Sequence, residues 1–328
     1  MYVKQQPLGS GFTAASTADE VLAGIDLNGI NIVVTGGHAG IGLETTRALS
    51  KAGASVVVGA RRPGRAAAAL AGIERVEVGP LDLAHPASID AFTARYAGSG
   101  RPLHILINNA GVPLHETLTL DARGYEAQFA TNYLGHFQLT LGLLASLRAA
   151  HGARVVNLSS GGHRISGIRW NDVHFTTGYQ SLLAYGQSKT AAILFAVELD
   201  RRWARDGVRG YAVHPGIVPG TSLNSSVGEE QLRAAGLIDE DGQPVVAPDR
   251  GIKNARQGAA TTVFAATSPL LDEIGGVYLM DNDVSVVDEN PEPVTGAEQD
   301  PPAEVVPHAI DPRSAERLWE LSEELITV

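Results

Sequence analysis

Short runs of β-branched residues, separated by longer segments with helical spacing, constrain this chain more than any other feature. The runs are NIVVT (31–35), SVVVGA (55–60), RVEV (75–78), HILINN (104–109), RVVNLS (154–159), GYAVH (210–214) and GVYLM (276–280). Each is short, rich in Val or Ile, and bounded by Gly, Asn or Pro, the pattern of a strand buried on both faces. Helical spacing falls between them over Ile41–Ala52, Pro86–Tyr96, Gln128–Ala150, Leu183–Ala204 and Gln257–Ala266. Alternation of this kind implies right-handed crossovers and a parallel sheet covered by helices on both sides. The expectation is an α/β fold with a doubly wound parallel sheet, and neither a second core nor a repeat is visible.

Residues 1–28 read as a polar N-terminal extension and 29–328 as the domain itself. Within the domain, 281–312 stands apart: acidic residues from Asp281 to Glu304 accumulate with no Lys or Arg before Arg313, and Pro291, Pro293, Pro301, Pro302 and Pro307 prevent a helix. Its composition predicts a solvated loop, an acidic Pro-rich insert within the C-terminal segment 281–328. Asp311 then caps a final helix whose apolar side carries Leu318, Trp319, Leu321 and Leu325. The chain has no cysteine, which removes disulfides, thiolate metal sites and a cysteine nucleophile. Its net charge of −11 disfavours nucleic acid as a partner. No apolar run approaches the ~20 residues that span a bilayer, and the N-terminus lacks the apolar core of a signal peptide. A cytoplasmic protein with no membrane partner is expected. The histidines are scattered without ligand spacing, so no metal site is expected.

The first strand runs directly into Thr35-Gly36-Gly37-His38-Ala39-Gly40-Ile41-Gly42 and then a helix. In such a turn Gly36 permits the tight bend, Gly40 lets a pyrophosphate approach the backbone, and Gly42 lets the helix pack close on the sheet. The helix N-terminus offers free N–H groups and a partial positive charge to phosphates, so Gly36, His38, Gly40, Ile41 and Gly42 are candidate cofactor contacts in a Rossmann fold. The lysine of a nucleoside triphosphatase loop is missing.

The glycine spacing resembles that of the short-chain dehydrogenase/reductase family, and further matching segments follow in order over roughly residues 28–280. They are Leu81-Asp82-Leu83, Asn108-Asn109-Ala110-Gly111, Asn132, Ser159-Ser160, Tyr185-Gly186-Gln187-Ser188-Lys189 and His214-Pro215-Gly216. The resemblance implies an adenine contact at Asp82 and Leu83, cofactor contacts at Asn109, Ala110 and Gly111, and recognition of the nicotinamide carboxamide through Pro215, Gly216 and Val218. The family usually carries a threonine four residues after that glycine; here position 220 is Gly and Thr221 comes one later.

The end of the second strand bears on which nicotinamide cofactor binds. An acidic residue there holds the ribose 2′-hydroxyl of NAD, but this chain has Gly59-Ala60-Arg61-Arg62. Arginine pairs with a 2′-phosphate through two charge-assisted bonds, so Arg61 and Arg62 point to NADP. Position 39, where many NADP users of the family carry another arginine, is Ala.

Tyr185 and Lys189 are four apart on a predicted helix and share a face. A free tyrosine has a pKa near ~10, and an adjacent ammonium with the positive nicotinamide favours its phenolate. Tyr185 is therefore the expected general acid/base, exchanging a proton with the carbonyl or alcohol oxygen as hydride moves. The resemblance implies that Lys189 also holds the nicotinamide ribose, Ser160 bonds the reacting oxygen, and Asn132 anchors a water linking Lys189 to solvent.

Residues 154–189, the AVHPG segment and RLWELSEEL resemble the retinol-dehydrogenase-like and WW-domain-oxidoreductase-like branch. The expected substrate is a small-molecule carbonyl or alcohol with a lipophilic or aromatic body. Ile165, Ile168, Trp170 and Phe175 are candidates for walling its pocket, with packing beneath the loop as the alternative, and 221–253 is the expected substrate loop. Epimerisation or dehydration on a related scaffold lacks the substrate domain it needs here. A non-catalytic NADP-sensing regulator is the alternative from another class, weighed against by the complete set Asn132, Ser160, Tyr185 and Lys189. The resemblance also implies a homodimer through the helices that carry Asn132 and Tyr185, on the faces of Phe137, Leu141, Leu144 and Leu147 and of Ala191, Phe195 and Leu199. The same branch includes monomers.

Overall fold

The computed structural model describes residues 4–221, 228–294 and 301–327. One sheet organises them, with strand order β3-β2-β1-β4-β5-β6-β7-β8. The strands are β1 (Asn31–Thr35), β2 (Ser55–Ala60), β3 (Val76–Pro80), β4 (Ile105–Asn108), β5 (Ala153–Leu158), β6 (Val208–His214), β7 (Val277–Met280) and β8 (Asp283–Val284). All pair in parallel except β8, which turns back antiparallel on β7 through Met280↔Asp283 and Leu279↔Val284. The doubly wound parallel fold expected from the Val and Ile runs is present. The two-residue strand β8 was not anticipated, because it is set by the sheet edge and not by any local pattern.

Among the described residues the main helices beside the sheet are α1 (Gly40–Lys51), α2 (Pro63–Ala69), α3 (Pro86–Gly98), a composite α4, α5 (Ser181–Trp203), α6 (Ala255–Gly258 continued by Ala260–Thr267) and α7 (Pro312–Ile326), with short helical segments at Ala18–Val21 and Glu229–Ala234. The expected continuous helix over 128–150 is broken. It opens as Ala127–Phe129, passes through a wide turn Ala130–Leu134 with i→i+5 bonding, resumes as Gly135–Gly142, and ends as Leu144–Arg148. Single wide turns of this type accompany functional positions, and this one contains Asn132.

Alternate strand residues feed two cores, as the pleat requires. Val34, Val58 and Ile107 pack with Leu49 and Phe264 on one side. Val33, Val57, Leu106 and Val155 pack with Phe92, Phe129, Phe137 and Phe195 on the other. Helix α7 seals this second core. Trp319 sits 4.9 Å from Phe137, 5.8 Å from Phe195 and 5.1 Å from Trp203, ring centre to ring centre. Of the residues expected to pair two copies, Phe137, Phe195 and Leu199 are buried in the same core as α7, while Leu141 and Leu144 remain half-buried.

Both flanking segments are integrated with the sheet, contrary to the expectation of a lead-in and a solvated insert. The side-chain amide of Gln5 bonds the sheet edge, its Nε2 donating to the carbonyls of Tyr278 and Ser285 and its Oε1 accepting from the Tyr278 N–H at 2.9 Å. The carboxylate of Asp283 gathers the N–H groups of Leu8, Gly9 and Ser10 at 2.8–3.0 Å. In the acidic stretch, Val287 pairs with Val305, and Val305 and Val306 are buried. Among the described residues of this stretch, Asp288 is held at 2.6 Å by Arg164, which lies beneath it. Glu298 and Asp300 lie outside the described residues.

Candidate active site

The strand order reverses between β1 and its parallel neighbour β4, and the crevice at that switch point is where a doubly wound fold receives a ligand. A cleft of about 1230 Å³ opens there. Drug-sized sites occupy about 300–1,000 Å³, so this cleft has room for more than one small ligand.

At one end lies the turn after β1. Gly36 has φ +65° and Gly40 φ +51°, both in the left-handed region that glycine tolerates. A Cβ at Gly42 would stand 2.6 Å from the Gly36 carbonyl oxygen and 2.5 Å from Asn109 Nδ2, so helix α1 packs onto the turn itself. The Thr35 hydroxyl, which sequence reading passed over, accepts the N–H groups of both Asn109 and Ala110 at 2.9 Å and bonds His136 Nε2 at 2.8 Å. It thereby locks the ends of β1 and β4 together. Its signal was its place as the last strand residue before the glycines. Nδ1 of His38 is buried in the cleft wall with no hydrogen-bond partner among the described residues. Burial, then the charge of Arg65, hold this imidazole below the ordinary histidine range. An orphaned polar atom beside a glycine cradle fits a ligand rich in acceptors and donors, as a dinucleotide is.

All the expected cofactor contacts border the cleft: Gly36, His38, Gly40, Ile41, Gly42, Arg61, Arg62, Asp82, Leu83, Asn109 to Gly111, Pro215, Gly216 and Val218, with Tyr185 and Lys189. Arg65, missed in the sequence, joins Arg61 and Arg62 one turn along α2, where Pro63 starts the helix. Thr221, doubted on its spacing, also reaches the cleft; a Cβ on Gly40 would lie 3.5 Å from its methyl. Residues 222–227 of the expected substrate loop lie outside the described residues; Pro248 to Gly251 of the same loop line the cleft.

Ser160, Tyr185 and Lys189 meet on the wall formed by the end of β5 and the start of α5. Nζ of Lys189 is 5.5 Å from the centre of the Tyr185 ring and donates to the Leu158 carbonyl at 3.1 Å. Burial draws this ammonium down to about 8. Burial pushes the Tyr185 phenol above its ordinary range, and the Ser160 hydroxyl pulls partly the other way. The phenol of the protein alone thus sits above its ordinary range, not below it, with burial as the larger cause. Gly162 makes the cluster compact, because a Cβ there would stand 2.7 Å from Tyr185 Cε1.

Asn132 lies one layer behind. Its side chain donates to Ser188 Oγ at 3.1 Å and accepts the Val112 N–H at 3.0 Å, while its carbonyl is bonded by His136 Nδ1. It borders a small separate void with Asn108, His136 and Asn157, not the cleft. Of the four apolar candidates in the 161–185 insert, Ile165 lines the cleft. Ile168 and Trp170 pack against the second core, and Phe175 is buried under Arg169. Packing claims those three.

The profile of the short chain dehydrogenase family matches residues 31–232. The chain belongs to that family. Among short-chain dehydrogenase relatives, it is 45% identical over 303 residues to a probable oxidoreductase of Streptomyces antibioticus, covering 90% of this chain and 97% of the relative. Identity to retinol dehydrogenase 12 of Mus musculus is 36% over 311 residues, with 93% and 88% covered. A solved structure of an uncharacterized protein from Mycobacterium paratuberculosis superposes with a TM-score of 0.70 at 30% identity, covering 96% and 98% of the two chains. Membership makes this chain an oxidoreductase with a nicotinamide cofactor and a small-molecule substrate. Among the described residues no helix is long and apolar enough to cross a membrane.

Proposed function

We propose that the chain is an NADP-dependent oxidoreductase that moves hydride between the nicotinamide and a lipophilic or aromatic carbonyl or secondary alcohol. The observation that carries this reading is the shared cleft: Arg61, Arg62 and Arg65 border it at the end of β2, and Ser160, Tyr185 and Lys189 border it at the end of β5. Arginines at the first place suit a 2′-phosphate, which an acidic residue would repel. When bound, the cofactor supplies or takes the hydride. Tyr185 gives its proton to the substrate oxygen in reduction and takes it back in oxidation, and the Ser160 hydroxyl orients that oxygen. A phenol raised by burial is suited to holding the proton until a developing alkoxide needs it. The Lys189 ammonium favours the phenolate that remains and reaches the ribose. Val112, Leu114, Ile165 and Leu182 on the cleft wall suit an apolar substrate body.

The test is consumption of NADPH, followed by its fluorescence, with a panel of aliphatic and aromatic aldehydes and ketones. Turnover of apolar carbonyls with NADPH preferred over NADH is expected. Tight NADPH binding without turnover of any member would favour the sensor reading instead.

A further inference from the structure

The acidic C-terminal segment takes no part in the proposed hydride transfer, yet it reaches the reacting end of the cleft. Val294 and the run Pro301-Pro302-Ala303-Glu304 border the same cleft as Tyr185. A Cβ built on Gly161, next to Ser160, would touch the Ala303 methyl at 3.4 Å. The run is fixed at successive backbone atoms. The Tyr278 phenol donates to the Ala303 carbonyl at 3.0 Å, and Arg164 Nη1 donates to the Glu304 carbonyl at 2.9 Å. The Asp288 N–H then reaches the Val305 carbonyl at 2.9 Å. Arg164 is central, since its other arm holds the Asp288 carboxylate at 2.6 Å while its own side chain is 1% exposed. A buried guanidinium that spans a carbonyl and a carboxylate is costly to leave without partners. That cost ties residues 288 and 304 to the Ser160–Arg164 turn.

We propose that residues 301–304 form a fixed wall of the substrate site opposite Ile165 and Leu182, with Ala303 setting how large a substrate body fits beside Ser160. Arg164 is the positioning residue that holds this wall. The inference rests on the reading that Ser160 and Tyr185 mark the reacting end. The wall brings Pro301, Pro302 and Ala303 to the cleft with Glu304 at its end, so its apolar part suits an unbranched or flat group and leaves little room for a bulky one.

The experiment uses straight-chain 2-alkanols from 2-butanol to 2-decanol with the NADP⁺-loaded full chain. Binding is read by calorimetry and oxidation by NADPH appearance. Ala303→Leu is expected to lower the ratio of kcat/KM for 2-decanol over 2-butanol at least tenfold, with NADPH affinity within twofold of the parent. Arg164→Met is expected to raise the KM of the long alcohols at least tenfold with kcat changed less than threefold, and Arg164→Lys to recover part of it. Should Arg164→Met fail to fold, Ala303→Leu still decides. A long-to-short ratio within threefold of the parent in Ala303→Leu overturns the wall, and so does a parent that binds none of the alcohols. Alcohols that bind with a length preference shifted by Ala303→Leu, yet are never oxidised, would uphold the wall and refute the oxidoreductase reading. Oxidation indifferent to Ala303 would do the reverse.

Discussion

Replacing Gly42 by Ala isolates the close packing of α1 on the glycine turn from every other feature of the site. Gly42 lies within the first turn of α1. In an open helix the change favours the folded state by about 1 kcal/mol. Here the new methyl meets the Gly36 carbonyl oxygen at 2.6 Å and Asn109 Nδ2 at 2.5 Å. The first contact is with backbone and cannot swing away; overpacking of that kind costs about 1–3 kcal/mol. Moving Asn109 also strains its 2.7 Å bond to the Thr35 carbonyl, worth about 0.5–1.5 kcal/mol. The sum is a net loss of about 0.5–3.5 kcal/mol. At about 2.1 cal/mol/K per residue over 328 residues, each kcal/mol moves the melting midpoint by about 1.5 °C, so the thermal shift is small, about 1–5 °C. Affinity for NADPH is the more telling readout, because the displaced atoms form the cradle itself; a loss of at least tenfold is expected by fluorescence titration. Gly98→Ala, at the exposed end of α3 with nothing within 4 Å of the new methyl, serves as the control and is expected to be neutral or slightly stabilising. Unchanged NADPH affinity and an unchanged midpoint in Gly42→Ala would refute the packing argument.

Tyr185→Phe is expected to retain NADPH binding while turnover falls about 10²–10⁴-fold, the scale of a lost proton-transfer group; near-normal turnover removes Tyr185 from the chemistry. Replacing Arg61 and Arg62 by Ala is expected to weaken NADPH by about 1–3 kcal/mol and NADH far less. Adding Arg65→Ala should deepen the difference, and equal losses for both cofactors would mean that these arginines do not read the 2′-phosphate. Lys189, drawn from 10.5 down to about 8, keeps its charge below that pH and loses it as pH rises through it. NADPH binding should therefore weaken up to about tenfold per pH unit above pH 8, with uptake of a proton; Lys189→Met should abolish this slope. Light scattering at micromolar concentration should give a mass near 34.4 kDa, since Trp319 of α7 already covers Phe137 and Phe195 on the helices that would pair two copies; a doubled mass would refute this and point to the parts of those faces that α7 leaves open.

The strands and the cofactor end were legible because both are local. Val and Ile runs bounded by turn residues need no distant partner to be recognised, and the glycine turn does its work within eight residues. What escaped depends on contacts across long separations. Nothing near Gln5 marks it as a partner of Tyr278, and an acidic, proline-rich composition reads as solvated until Arg164 is placed beneath Asp288. Ile168, Trp170 and Phe175 were ambiguous in the sequence because an apolar residue in a loop serves a pocket or a core equally well; the core that α7 joins claims the first two, and Arg169 covers the third. Asn132 was found by its family position, but that it sits behind the cleft follows from the wide turn in α4, which has no sequence signature.

The bonds between the first residues and the last strands also set an order of events during synthesis. Gln5 is joined to Ser285 across 280 residues of chain, and Leu8 to Asp283 across 275. A ribosome adding about 5–20 residues per second needs roughly 15–55 s to supply those partners. Through that interval the opening segment has no edge to join, and the outer strand has no cover until both ends are made. The closing of this staple is therefore a late step, slow for the same reason that any contact between distant parts of a chain is slow. A nascent chain stalled before β7 would carry its N-terminal residues free, within reach of proteases and chaperones.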